Sequence, residues 1–233
     1  MLIALEGIDG SGKQTQATLL QARLREHGLT EALFAFPRYG QTFFAASIED
    51  YLRGKFGSLP SVDPHFAALL YAGDRFETRS SLVSALSQHD VVLCDRYVAS
   101  NLAHQGARVP ESSRLAFVDW MAALEHEVYD LPRAELTIFF DIPSEAAAAL
   151  IQARSQRRSP TAEVDIHEAD TSYLEHCREV YRMLASQSFL SDWHTVPCLG
   201  DDGRLREPSS IADSVWDIVQ PVLPHCPRSR QPI

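Results

Sequence analysis

The stretch that decides the fold is Leu2-Ile3-Ala4-Leu5-Glu6-Gly7-Ile8-Asp9-Gly10-Ser11-Gly12-Lys13. A short apolar run breaks at a glycine loop, and a helical pattern resumes from Lys13 to His27, with Leu19, Leu20 and Leu24 marking one face. Gly7 to Lys13 has the spacing G-x-x-x-x-G-K between a strand and a helix. Glycines let successive backbone N–H groups converge on phosphate oxygens without Cβ obstruction. The helix N-terminus and the Lys13 ammonium add positive potential at the same point. A plain strand–helix turn is the competing reading, but strand, loop, lysine and helix in that order favour phosphate binding. Gly7, Ile8, Asp9, Gly10, Ser11, Gly12, Lys13, Gln14 and Thr15 are therefore the candidate contacts for the phosphates of ATP.

One position departs from the motif. The residue after the lysine is ordinarily Ser or Thr, whose hydroxyl binds Mg²⁺, and here it is Gln14. Thr15 is no simple substitute, because successive helical side chains are rotated by about 100°. Metal binding is expected to rest on the phosphates, on Asp9 and on Asp95.

Outward from the loop, strand candidates recur at Ala32 to Phe36, Asp90 to Asp95, Glu135 to Ile142 and, more weakly, Trp193 to Leu199. The second and third of these are apolar on both faces and read as fully buried strands. Helix-length segments lie between them, at Asp63 to Gln88, Ser112 to Val128, Ser144 to Arg154, Glu168 to Ser188 and Ser209 to Val222. Strands alternating with helices predict a doubly wound, five-stranded parallel α/β sheet with ligands at the carboxyl ends of the strands. Residues 1–223 are expected to form one domain. Arg154 to Asp165 is polar, interrupts two helices and reads as an exposed mobile loop, and the proline-rich tail 224–233 reads as frayed.

The 233 residues, 45% apolar, suffice for a substantial core, and a formal charge of -10 argues against a broad nucleic-acid surface. A local basic pocket for a small anion remains compatible with that balance. The start of the chain has no signal-peptide pattern and no segment approaches the ~20 apolar residues of a membrane span, so a cytoplasmic protein without membrane or nucleic-acid partners is expected. Cys94, Cys177, Cys198 and Cys226 are widely spaced and read as reduced thiols.

Four segments narrow the class. They are the loop itself with Asp9 inside it, Phe36-Pro37-Arg38-Tyr39-Gly40, Leu70-Tyr71-Ala72-Gly73-Asp74-Arg75, and Asp95-Arg96-Tyr97-Val98-Ala99-Ser100-Asn101 with Gln105 after it. Tyr71 and Arg75 stand at i,i+4 and share a helix face. An ordinary amphipathic helix with Arg75 paired to a surface acid is the competing reading for that pair. In order along the chain, these segments resemble the thymidylate kinase family, from Leu2 to about Tyr181.

The resemblance implies a P-loop nucleoside monophosphate kinase that phosphorylates dTMP to dTDP with ATP and Mg²⁺ for dTTP synthesis. It implies that Asp9 reaches the acceptor sugar and the transferring phosphates, and that Phe36 and Pro37 line the acceptor site. Arg38 would contact the acceptor phosphate, with Tyr39 beside it. Tyr71 would stack on the thymine while Arg75 bonds its carbonyl edge, and Ser100, Asn101 and Gln105 would line the base and sugar. Asp95 would belong to the Mg²⁺ shell, and Arg96 would bridge donor and acceptor phosphates. His104 stands where some members carry a tyrosine that blocks a ribose 2′-hydroxyl.

The polar loop matches the family's lid. Gly10 occupies the P-loop position that carries a basic residue in one branch, and Arg154, Arg157 and Arg158 supply the lid arginines of the other. A guanidinium arriving on lid closure would stabilise charge on the transferring phosphoryl group and exclude water. The catalytic set is thus Asp9, Lys13, Arg96, Arg154, Arg157 and Arg158. The resemblance also implies a homodimer through packed helices. A kinase of another nucleotide and a catalytically weak nucleotide-binding relative are the alternatives.

Overall fold

In the computed structural model, residues 1–58, 61–157 and 170–223 are described. β1 (Leu2–Glu6) leads through the glycine loop into α1 (Lys13–Glu26), and β2 (Glu31–Ala35) is followed by α2 (Phe43–Leu52) and the long α3 (Pro64–Gln88). β3 (Val91–Asp95) opens into α4 (Val98–Gly106) and α5 (Glu111–Ala123), which ends in a π-helical turn at Leu124–Val128. β4 (Leu136–Asp141) leads to α6 (Ser144–Arg157), and α7 (Thr171–Ser186), β5 (Asp192–Pro197), α8 (Pro208–Val219) and a short 3₁₀ turn follow.

All five strands pair in parallel in the order β2-β3-β1-β4-β5. The expected sheet is present, with strand ends within two residues of the sequence reading. β1 is buried along its whole length and β4 along all but its last residue, which explains their unbroken apolar runs. Each fully buried Leu, Ile or Phe there contributes about 1.5–3 kcal/mol of transfer free energy. The edge strands β2 and β5 are only partly covered, and their sequences are correspondingly more polar. On α1, Leu20 and Leu24 enter the core with Ala17, whereas Leu19 is exposed, about 100° round the helix from Leu20.

Two helices were not foreseen in the sequence. α2 begins at Thr42, whose hydroxyl accepts the Ala45 N–H at 3.0 Å, and it buries Ile48 and Tyr51 against Val62, Ala67 and Leu70. α4 has nine residues and no side-chain cap of its own. Its cap comes from β1 instead. Glu6 Oε1 accepts the Tyr97 N–H at 2.8 Å and the Ser100 N–H at 3.2 Å, and Oε2 accepts from the Ser100 and Tyr181 hydroxyls at 2.6 and 3.0 Å. A carboxylate at a helix N-terminus satisfies orphan donors and complements the dipole.

The segment expected as one helix from Ser112 to Val128 changes pitch instead. Tyr129 N–H bonds the Leu124 carbonyl at 3.0 Å, five residues back, and Glu125 lies fully buried. No helix among the described residues is long and apolar enough to cross a membrane. Cys94, Cys177 and Cys198 are buried free thiols, while Cys226 and the tail 224–233 lie outside the described residues.

Candidate active site

The loop after β1 is shaped by backbone conformations that only glycine adopts easily. Gly10 has φ +80°, and a Cβ there would stand 2.5 Å from the Ala147 carbonyl oxygen of α6. Lys13 is buried, and its Nζ donates to the carbonyls of Gly7 at 2.9 Å and Ile8 at 2.8 Å. Ser11, Gln14 and Thr15 complete the turn into α1, with Gln14 and Thr15 exposed on its first turn.

Across the loop, Arg96 follows the last residue of β3 in a left-handed conformation, φ 66°. Such a conformation costs a non-glycine residue roughly 1–2 kcal/mol. Its N–H is held by the Leu5 carbonyl at 3.0 Å, and its guanidinium forms an ion pair with Asp9. Nη1 also reaches Ser100 Oγ at 3.2 Å and His104 Nε2 at 3.3 Å. Burial works against the Asp9 carboxylate, but Arg96, Lys13 and His104 outweigh it and hold its pKa well below the usual carboxylate range. Asp95, partly buried at the end of β3, lies outside the neighbouring cavity.

That cavity is partly open to solvent. The loop and β3 contribute Asp9 and Arg96, and the turn after β2 contributes Phe36, Pro37 and Tyr39, with a cis bond between Phe36 and Pro37. α3 brings Tyr71 and Arg75, and α4 brings Ser100, Asn101 and Gln105. Ten residues expected at the acceptor site thus share one cavity. Leu52, His104 and Tyr173 line it as well. Tyr173 was missed, although the spacing Tyr173, Cys177, Val180, Tyr181 and Leu184 marks the inward face of α7.

Arg38 is the exception. Its guanidinium lies over the Phe34 ring, 5.1 Å from the centroid, and donates to Gln41 Oε1 at 2.6 Å, outside the cavity lining. The Phe34 ring and Gln41 hold the side chain there, while the Arg38 N–H is tied to Asp74 Oδ2 of α3 at 3.0 Å.

Arg75 is buried and doubly bonded to the equally buried Glu125, not to a surface acid. Burial disfavours its charge, but Glu125 more than compensates and raises its pKa. The lid arginines fall at the limit of the described chain. Helix α6 runs three residues further than expected, so Arg154 and Arg157 stand on its last turns, and Arg158 lies outside the described residues.

The buried Lys13 gives this site a pH signature. Burial lowers its pKa to about 8, helped by Arg96 and opposed by Asp9, Asp95 and Glu6. A polyphosphate binds the ammonium form and raises that pKa, so ATP affinity is expected to be constant below about pH 8 and to fall above it. The slope approaches about tenfold per pH unit. Calorimetric titration of ATP between pH 6.5 and 9.5 tests this, and an unchanged affinity across that range contradicts it.

A glycine-lined phosphate loop opening beside an aromatic and amide-lined cavity, at the carboxyl ends of one parallel sheet, is the arrangement of a P-loop kinase acting on nucleoside monophosphates. The family model described as thymidylate kinase matches residues 5–195, and the chain belongs to the thymidylate kinase family. A thymidylate kinase of Mycobacterium tuberculosis is 35% identical over 205 residues, covering 88% of this chain and 95% of the relative. One from Thermomicrobium roseum is 31% identical over 229 residues, 97% of this chain and 98% of its own. The fold also matches the solved structure of thymidylate kinase from Candida albicans with a TM-score of 0.69 at 21% identity, over 94% of this chain and 91% of that one. The chain is accordingly an ATP-dependent nucleoside monophosphate kinase.

Proposed function

We propose that the enzyme transfers the γ-phosphoryl group of ATP to dTMP, giving dTDP and ADP. The observation that carries this reading is the assembly of Tyr71, Arg75 and Asn101 in one cavity with Asp9 and Arg96 beside the phosphate loop. A phosphate oxygen of dTMP attacks the γ-phosphorus, and the bond to the β–γ bridging oxygen breaks with its electron pair leaving on ADP. The acceptor is already an oxyanion, so no general base is needed. Catalysis becomes charge neutralisation and alignment.

In this reading Lys13 and the loop amides hold the ATP phosphates, and Arg96 spans donor and acceptor. Asp9 orients the acceptor sugar and the Arg96 guanidinium. Tyr71 stacks on the base between Phe36 and Asn101, and Gln105 completes the sugar side. Arg154, Arg157 and Arg158 close over the transferring group. Helix α6 touches the loop at Ala147, and Ile151 and Arg154 follow at helical spacing, which supports a role for Arg154.

The donor set suits Mg²⁺, which keeps several waters and takes one or two carboxylates together with substrate phosphates. Among the described residues there is no cluster of three or more metal-ligating side chains. Asp95, with Asp9 nearby, is the group that would hold the ion's water shell, and the ion would neutralise phosphate charge. A homodimer is supported by an exposed apolar stripe on α3, where Phe66, Leu69, Phe76 and Val83 recur at near-heptad spacing. A cytoplasmic location and a single domain over residues 1–223 complete the proposal.

The test is ADP release with ATP and Mg²⁺, comparing dTMP with dUMP, UMP, CMP, AMP, GMP and thymidine. Turnover fastest with dTMP is expected. Preference for another monophosphate would retain the kinase and overturn the substrate. No turnover in folded, ATP-binding protein would leave a binding module.

A further inference from the structure

Asn101 sits on α4 with its amide polarity fixed by its neighbours. Nδ2 donates to the Ala68 carbonyl at 3.1 Å and to Glu125 Oε1 at 2.9 Å. Both partners are acceptors, so the nitrogen must face them and the oxygen must point away. Oδ1 is buried and has no hydrogen-bond partner among the described residues. A buried acceptor left without a donor is costly, and a ligand N–H would offset that cost. Asn101 lines the acceptor cavity.

The same carboxylate holds Arg75. Glu125 Oε2 accepts Nε at 2.7 Å and Oε1 accepts Nη2, which leaves Nη1 as the guanidinium group for a ligand. Glu125 reaches this point because it continues the buried face of α5, following Met121 and Ala122 at helical spacing into the π-helical turn. One buried anion therefore orders a donor on α3 and an acceptor on α4.

We infer that Glu125 is a positioning residue for base selection: it holds Asn101 with its carbonyl oxygen toward the cavity and Arg75 with its Nη1 group left for a ligand. The pair reads a ring N–H beside a carbonyl, the edge of thymine or uracil. Cytosine offers a bare ring nitrogen beside an amino group, so it meets acceptor with acceptor and donor with donor. This inference rests on the dTMP reading above and adds the residue that sets its polarity.

With Glu125→Gln, the side chain can present N–H to residue 101, which leaves the Ala68 carbonyl as the one of these two acceptors still holding the Asn101 NH₂ and weakens the preference for that amide orientation. The ratio of kcat/KM for dCMP to that for dTMP is expected to rise roughly tenfold or more, mainly through loss of dTMP. Glu125→Asp keeps the charge but withdraws the carboxylate by one methylene from Asn101, and is expected to move the ratio in the same direction. Equal losses for both acceptors in either folded variant would make Glu125 merely structural and overturn the inference. If neither variant folds, the unmodified chain decides. Its Asn101 side-chain amide protons, followed by ¹⁵N NMR, are expected to resist exchange both before and after dTMP is added, and fast exchange would overturn the inference. Failure of the dTMP reading is separate, because it appears as absent dTMP-over-dCMP preference in the unmodified enzyme.

Discussion

Lys13→Met is expected to lower kcat for phosphoryl transfer by about a thousandfold, the scale on which enzymes lose rate when a preorganised charge opposite a developing anion is removed. Methionine keeps the length and volume of the stem, so the loop is not emptied. The charge is what disappears. In the protein as it stands, the ammonium is buried and satisfied by the carbonyls of Gly7 and Ile8. It is also held against its preference, since its pKa is lowered to about 8 by burial. A lysine with a depressed folded pKa binds fewer protons folded than unfolded between about pH 8 and its ordinary value near 10.5, so stability rises with pH across that window. Below about pH 8 the buried ammonium therefore works against folding. The variant's melting temperature at pH 7 is accordingly expected to match or exceed that of the parent while activity collapses. Thermal melting beside steady-state kinetics checks both halves, and a variant retaining more than about a tenth of parental kcat would remove Lys13 from the mechanism.

Arg96→Ala is expected to cost a similar factor, about a thousandfold in kcat, with the larger part lost in the transition state. Arg96→Lys should recover little, because an ammonium cannot present the planar fork that spans two phosphates. The variant also has a signature away from turnover. Asp9 is desolvated, and its carboxyl is kept ionised chiefly by Arg96, with Lys13 and His104 assisting. Without the guanidinium its pKa rises. In the parent, the stabilisation from Asp9 is present above the ordinary aspartate pKa near 3.8 and is lost only as pH falls through the depressed folded value. Arg96→Ala is expected to shift that acid loss of stability to higher pH. Thermal melts between pH 3 and 6 read the shift, and superimposable acid limbs for variant and parent would show that Arg96 does not govern Asp9.

The legible parts of the sequence were those whose cause is local. β1, β3 and β4 show as apolar runs because both faces are buried, and the glycine loop shows because backbone amides can converge only where Cβ atoms are absent. Helix α4 did not show. It has nine residues of mixed polarity, and its cap is Glu6, ninety-one residues before the Tyr97 N–H it accepts. Arg75 lines the cavity, and its partner is the buried Glu125, whereas the competing reading of the sequence paired it with a surface acid. Glu125 looks like one more exposed charge in the run Leu124-Glu125-His126-Glu127-Val128, yet it follows Met121 and Ala122 on the buried face of the helix. Arg38 has a charge suited to a phosphate beside the segment that lines the cavity, yet its guanidinium lies against the Phe34 ring and Gln41. Charge type can be read from sequence, but direction is set by contacts between distant segments.

Glu6 has a mechanical meaning as well as an electrostatic one. It is the residue immediately before Gly7, and it accepts four hydrogen bonds from α4, its preceding residue and α7. The floor of the donor pocket and the wall of the acceptor pocket are thereby riveted to one side chain.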